Sequence, residues 1–159
     1  MLNHMSKSNK KLPGDYIAGF IDGEGCFYLT YRSETRYDRP GNPKYFRWTP
    51  YFAISIREDD KEILGKIKNT LDCGNVYILN RKGGDKMAHF IIQNIDDLYT
   101  NILPFFEKYP LIAKKKHDFK LWSIALKIMH NNKKDRKRCS SEDNRKLLSI
   151  REKMRNYTE

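Results

Sequence analysis

Cysteine is scarce in this chain: Cys26, Cys73 and Cys139 are the only three among 159 residues, odd in number and far apart. No CxxC pair occurs, so neither a disulfide framework nor a zinc site is expected, and the reading is of an intracellular protein in a reducing compartment. Histidine is equally thin. His4, His89, His117 and His130 are too dispersed to form an imidazole metal cluster. No apolar run approaches the length of a membrane span, and neither a cationic amphipathic helix nor a lipidation signal offers a hold on a membrane surface. Residues 1–12 are polar and lysine-bearing. They lack the apolar centre of a secretion signal and the arginine-rich amphipathy of a transit peptide, and are expected to form a disordered basic arm. Residues 13–159 have the size of one ordinary domain, which can bury a core without disulfides or metal.

Acidic residues are also in short supply. Asp plus Glu number 20 against 31 Lys plus Arg, a net charge of +11 with a pI near 9.5. Charge of this size implies an extended anionic partner, nucleic acid first, against the plainer reading of a solvated lysine-rich surface.

The elements follow from spacing. Pro13-Gly14-Asp15 supplies a turn with Asp15 as N-cap, and a first helix is predicted through Tyr16, Phe20 and Ile21 to a break at Gly23. Over residues 26–32, Phe27, Leu29 and Tyr31 alternate with Cys26, Tyr28, Thr30 and Arg32, the period of a half-buried strand. A turn-rich connection over 34–43 leads to a second strand over 44–56. Trp48, Phe52, Ile54 and Ile56 lie on one side of it, and Arg47, Thr49, Tyr51 and Ser55 on the other. Asp59 or Asp60 is expected to cap a second helix with Ile63, Leu64, Ile67 and Leu71 on its apolar face, ended by Gly74. Val76 and Ile78 mark a third strand, Lys82-Gly83-Gly84-Asp85 a turn, and Phe90 and Ile92 a fourth strand, together a hairpin. Helices are predicted over 96–106, 115–129 and 140–154. The whole is an α+β arrangement.

Residues 16–25, Tyr16-Ile17-Ala18-Gly19-Phe20-Ile21-Asp22-Gly23-Glu24-Gly25, run apolar and small, then end in two acids set among glycines. Ala18 and Gly19 would let a second helix approach closely, while Gly23 and Gly25 would free the backbone to leave the helix. An acid at a helix C-terminus opposes the dipole, which favours a functional carboxylate able to hold a hard divalent cation.

Residues 17–25 resemble the signature of the LAGLIDADG homing endonucleases, with Ile17 and Phe20 for Leu, Gly23 for Ala and Glu24 for the second Asp. The order of elements extends the resemblance over residues 15–130. It implies the LAGLIDADG homing-endonuclease fold, an αββαββα core with a saddle-shaped antiparallel sheet and, here, extra C-terminal helices. A single copy of the signature implies a homodimer, with the signature helices packed on the symmetry axis and Ala18, Gly19 and Asp22 at that interface.

The resemblance also assigns the chemistry. Glu24 is the expected catalytic metal ligand, helped by the main-chain oxygen of Gly23, with Asp22 as the competing ligand. Mg2+ is the expected ion, with Mn2+ or Ca2+ as alternative occupants. Relatives often carry Gln at the end of the second strand, where this chain has Ile56, so the adjacent Arg57 is the candidate replacement. Arg57 could instead simply pair with Asp59 or Asp60. Lys61 fits the basic position early in the second helix, although Asp60 aligns equally well. The lysine before the long helix maps to Lys114, with Lys115 and Lys116 as alternatives, and the triplet could also be a solvated phosphate-contacting patch.

A sheet laid in the major groove would read DNA through the side chains opposite its core-facing set. Those are Tyr28, Thr30, Arg32, Arg47, Thr49, Tyr51, Ser55, Asn75, Tyr77, Arg81 and His89, the tyrosines being as readily structural. Arg36, Arg39, Lys82 and Lys86 in loops would contact phosphates. The run Lys133-Lys134-Asp135-Arg136-Lys137-Arg138 reads as a phosphate clamp, a localisation patch or a solvated linker. The implied function is a site-specific endonuclease that cuts both strands of a long near-palindromic DNA by metal-dependent hydrolysis, encoded by a mobile intron. The alternatives are a relative that binds DNA or intron RNA as a maturase without cutting, and a sequence-specific regulator.

Overall fold

The computed structural model describes residues 10–155. Helix α1 spans Gly14–Glu24 after Pro13, which takes the N-cap place; Asp15 does not cap but lies in the first turn, where its charge suits the helix dipole. The helix does not break at Gly23. It runs on to Glu24 and passes directly into β1 (Gly25–Thr35). Gly25 is extended, not left-handed (φ −81°), and it is needed for space: a Cβ there would lie 2.5 Å from Ile21 Cγ2. Strand β2 covers Lys44–Arg57, and a 3-10 turn over Glu58–Asp60 enters α2 (Lys61–Leu71). Neither Asp59 nor Asp60 caps that helix with its side chain. Its end is made by left-handed Asp72 (φ 57°) before Gly74.

Strands β3 (Asn75–Asn80) and β4 (Lys86–Ile92) form the expected hairpin and complete a four-stranded antiparallel sheet in the order β1-β2-β4-β3. The next predicted helix is in three pieces: α3 (Ile95–Asp97), capped by the Asn94 side chain, a π turn over Leu98–Ile102, and α4 (Leu103–Lys108). Pro104 has no N–H to return to the carbonyl one turn earlier, which accounts for the loosened turn before it. Helices α5 (Lys115–Lys134) and α6 (Ser141–Arg155) follow, α5 five residues longer than its apolar pattern implied, with Lys133 near its end paired with Asp96.

The helices cover one face of the sheet. Phe27, Phe52, Phe106, Phe119 and Trp122 meet there with ring centroids 5.1–6.2 Å apart, and each fully buried ring contributes about 2 kcal/mol. Trp122 donates its indole N–H to the Tyr28 carbonyl at 3.1 Å, and Trp48 donates to Asn144 Oδ1 at 2.9 Å, so α5 and α6 are each fastened to the sheet by one satisfied polar handle. Of the expected basic arm, residues 1–9 lie outside the described residues. Leu12, near its end, packs on the core and donates its N–H to Thr70 Oγ1 at 2.9 Å.

Candidate active site and nucleic-acid face

The end of α1 is held by the segment that leads into α5. Asp22 Oδ2 accepts the backbone N–H groups of Ile112 (2.8 Å) and Ala113 (3.2 Å), while Lys115 Nζ donates to the carbonyls of Asp22 (2.9 Å) and Gly23 (3.0 Å). Lys115 satisfies two carbonyls at the C-terminal end of α1 and neutralises the negative end of its dipole, while Asp22 fixes the segment before α5 against it. Within the lysine triplet it is therefore Lys115 that reaches the signature, whereas Lys114 sits exposed at the N-cap place of α5. Asp118, one turn into α5, has its carboxyl raised above the usual range by burial, against the opposing pull of Lys115 and His117.

Glu24 follows these anchored carbonyls and is exposed, with no ion pair or hydrogen bond to any described residue. A cavity of about 550 Å³ opens beside it, lined also by Ser55, Ile56 and Arg57 from the end of β2 and by Asp60 from the 3-10 turn. Strand alternation explains the grouping. Ser55 and Arg57 point to the open face and Ile56 to the core, where it is 9% exposed. Arg57 also pairs with Asp59 at 3.2 Å, both side chains being well exposed. Lys61 turns to Glu58 at 3.4 Å and does not line the cavity, so of the two residues weighed for that position Asp60 is the one beside Glu24.

Glu24 offers hard oxygen, the donor type that Mg2+ takes, and the Gly23 carbonyl keeps a second lone pair beyond its bond to Lys115. Among the described residues no group of three His, Cys, Asp or Glu comes together to hold a metal. Glu24 and the Gly23 carbonyl are a donor set whose chemistry fits a hard cation, with Asp60 the other carboxylate lining the cavity.

Ala18 corrects one expectation. It is 5% exposed and belongs to this chain's own core, because it shares a face with Ile17 and Ile21. Gly19 and Gly23 lie on the opposite, open face, where an added Cβ would meet nothing within 4 Å. Asp22 is occupied with the α5 approach, as described, and not with that open face.

The register puts the strand residues expected to read DNA on one side of the sheet. Direct pairs are Arg32 with Arg47, Thr30 with Thr49, Tyr28 with Tyr51, and Ser55 with His89, which pairs in turn with Tyr77; Asn75 faces Ile91. Tyr28 and Tyr51 stack with centroids 4.5 Å apart, and Ser55 Oγ lies 2.8 Å from His89 Nδ1. The proximity of Cys26, and then burial, pushes the Tyr28 phenol up to about 12. Arg32 and Arg47 are like charges directly across a ladder, with no described carboxylate at ion-pair distance. That arrangement is destabilising by itself and suits an external anion. Arg81, Lys82 and Lys86 flank the β3–β4 turn, and Arg36 and Arg39 the β1–β2 connection. Arg36 is held by Asp38 through two 2.9 Å bonds.

The profile of the LAGLIDADG endonuclease family matches residues 17–126, which include most of α1, the whole sheet and more than half of α5. The chain belongs to this family. It is 29% identical over 115 residues to probable intron-encoded DNA endonuclease 1 of Mycosarcoma maydis, covering 72% of this chain and 38% of that one. Its fold is that of the homing endonuclease I-TnaI, at 27% identity and TM-score 0.69 over 94% of this chain and 97% of that chain. I-SmaMI bound to its uncleaved DNA target in the presence of calcium ions matches with TM-score 0.68 and 25% identity, over 89% of this chain and 44% of that one. The chain spans about a quarter to two fifths of the length of the Mycosarcoma maydis protein and other curated relatives. Among the described residues no helix is long and apolar enough to cross a membrane.

Proposed function

We propose that this chain is a site-specific homing endonuclease that works as a homodimer on double-stranded DNA, hydrolyses one phosphodiester in each strand of a long near-palindromic target, and is encoded by a mobile intron. The observation that carries the reading is Glu24, an unpaired carboxylate where α1 meets the sheet, beside a cavity that continues into the open basic face. With two chains related by a two-fold axis along the Gly19–Gly23 face of α1, the two carboxylates come close to each other and to both strands. Glu24 and the Gly23 carbonyl would hold the cation, Mg2+ in preference to Mn2+ or Ca2+. A bound divalent cation supplies charge neutralisation at the phosphate and a water of lowered pKa. Lys115 keeps the α1 carbonyls in place and adds positive charge beside the phosphate, Arg57 offsets charge on the sheet side, and Asp60 accepts hydrogen bonds from water in the cavity. Arg32, Arg47, Thr30, Thr49, Ser55, Asn75, Tyr77 and His89 face the major groove, with Arg36, Arg39, Arg81, Lys82 and Lys86 along the phosphates.

The test is cleavage of the DNA that flanks this reading frame, with its intron deleted, by wild type and Glu24→Gln in Mg2+ and in EDTA. Cutting in Mg2+ alone, lost in Glu24→Gln while binding persists, is the expected result. Undiminished cutting by the variant refutes the role of Glu24. Ile56 favours a second reading, since at the end of β2, where relatives often carry a side chain that can order water, this chain has an apolar one turned to the core. A maturase-type or regulatory protein would bind its nucleic acid tightly and leave DNA whole.

A further inference from the structure

On the helix side of the sheet, about 20 Å along β1 from Glu24, the far ends of β1 and β2 and the α5–α6 connection enclose a wedge of about 640 Å³. Its floor is aromatic. Tyr31 stacks on Phe46 with centroids 5.1 Å apart and an interplanar angle of 16°, and on Trp48 at 4.6 Å; Phe46 is 63% exposed. Its walls are basic, with Arg39 from one side and Lys137 and Arg138 from the other, and no Asp or Glu lines it. Lys137 is paired with Asp135, but Arg39 and Arg138 have no carboxylate partner among the described residues. An open ring face beside unpaired guanidinium groups matches a heterocyclic base and its phosphate.

The aromatic floor of the wedge lies on the side of the sheet opposite the face proposed for duplex DNA, because Tyr31, Phe46 and Trp48 share the core-facing alternation while Arg32 and Arg47 share the other, although Arg47 also lines the wedge at its rim. A base within a duplex has both faces covered by its neighbours, so an aromatic floor can only receive a base that is unstacked. We propose that this wedge is a second nucleic-acid site, which takes an unpaired nucleotide of a single strand with its base on Phe46 and its phosphate on Arg138. The basic run at 133–138 then has a ligand of its own.

The experiment is fluorescence polarisation of the full chain with a short labelled single strand of mixed sequence, as RNA and as DNA, in the presence of saturating unlabelled duplex. Binding that survives the duplex, weakens about tenfold in Phe46→Ala, returns in Phe46→Trp, and shows a salt slope lower by about one in Arg138→Ala is expected. The tighter of the RNA and DNA arms identifies the source of the strand. Duplex affinity of Phe46→Ala stays that of wild type. Displacement of the single strand by duplex, indifference to Phe46→Ala, or capture of an acidic peptide in place of either strand overturns the proposal. Duplex cutting is read separately, so failure here and failure of the endonuclease reading are distinct results.

Discussion

Lys115 Nζ donates to the Gly23 carbonyl at 3.0 Å, so a cation from the start of α5 is fixed at the end of α1, one residue before Glu24. The same ammonium holds Asp22 O at 2.9 Å. Lys115→Met is expected to lower stability by about 1 kcal/mol in urea denaturation, since it strips a charged partner from two helix-end carbonyls. It is also expected to slow cutting far more than Lys114→Met does. Equal cutting by the two variants would show that the contact serves the fold alone.

Gly19 and Gly25 separate dimer from monomer. Gly25→Ala drives a Cβ to within 2.5 Å of Ile21 Cγ2 and 3.0 Å of a backbone oxygen, and is expected to cost about 2 kcal/mol within one chain. At Gly19 an added Cβ meets nothing within 4 Å, so Gly19→Leu is expected to leave the melting temperature of the single chain intact. Its expected effect is on assembly: light scattering should fall toward the 18.9 kDa of one chain.

The indole of Trp48 binds Asn144 Oδ1 at 2.9 Å and is only 6% exposed. Trp48→Phe keeps most of the buried ring and loses the donor, so about 1 kcal/mol of stability is expected to go. Asn144→Ala measured alone and with Trp48→Phe completes a double-mutant cycle whose coupling should account for most of that loss.

Burial holds the Asp118 carboxyl above its ordinary value of 3.8. A raised carboxyl binds its proton more tightly in the folded chain, so its contribution is fully present below pH 3.8 and is lost as pH rises through the folded value. Asp118→Asn is therefore expected to be more stable than wild type at neutral pH, with the difference closing below pH 3.8. Denaturant midpoints across that range measure it.

The alternation of Phe27, Leu29, Trp48, Phe52, Ile54 and Ile56 was enough to place two strands and to separate the core side from the open side, because period-2 patterning commits every second residue once one is buried. The signature was enough to single out the acid at the end of α1 as a candidate ligand. Helix faces were harder to read. Ala18 and Gly19 are adjacent and equally small, and only the packing of Ile17 and Ile21 decided that Ala18 turns inward and Gly19 outward. Three consecutive lysines likewise carry no internal mark that singles out Lys115.

By itself, then, the sequence determined the kind of each element, the strand faces, the basic character and the acid at the end of α1, all properties of short windows and of composition. The tertiary structure decided which residues meet across 90 positions of chain, as Asp22 and Ile112 do, and which loops close on each other. Arg39 in the β1–β2 connection and Arg138 between α5 and α6 become neighbours of one aromatic floor only when α6 is fastened to Trp48. Such contacts depend on how whole elements pack, and no local periodicity records them.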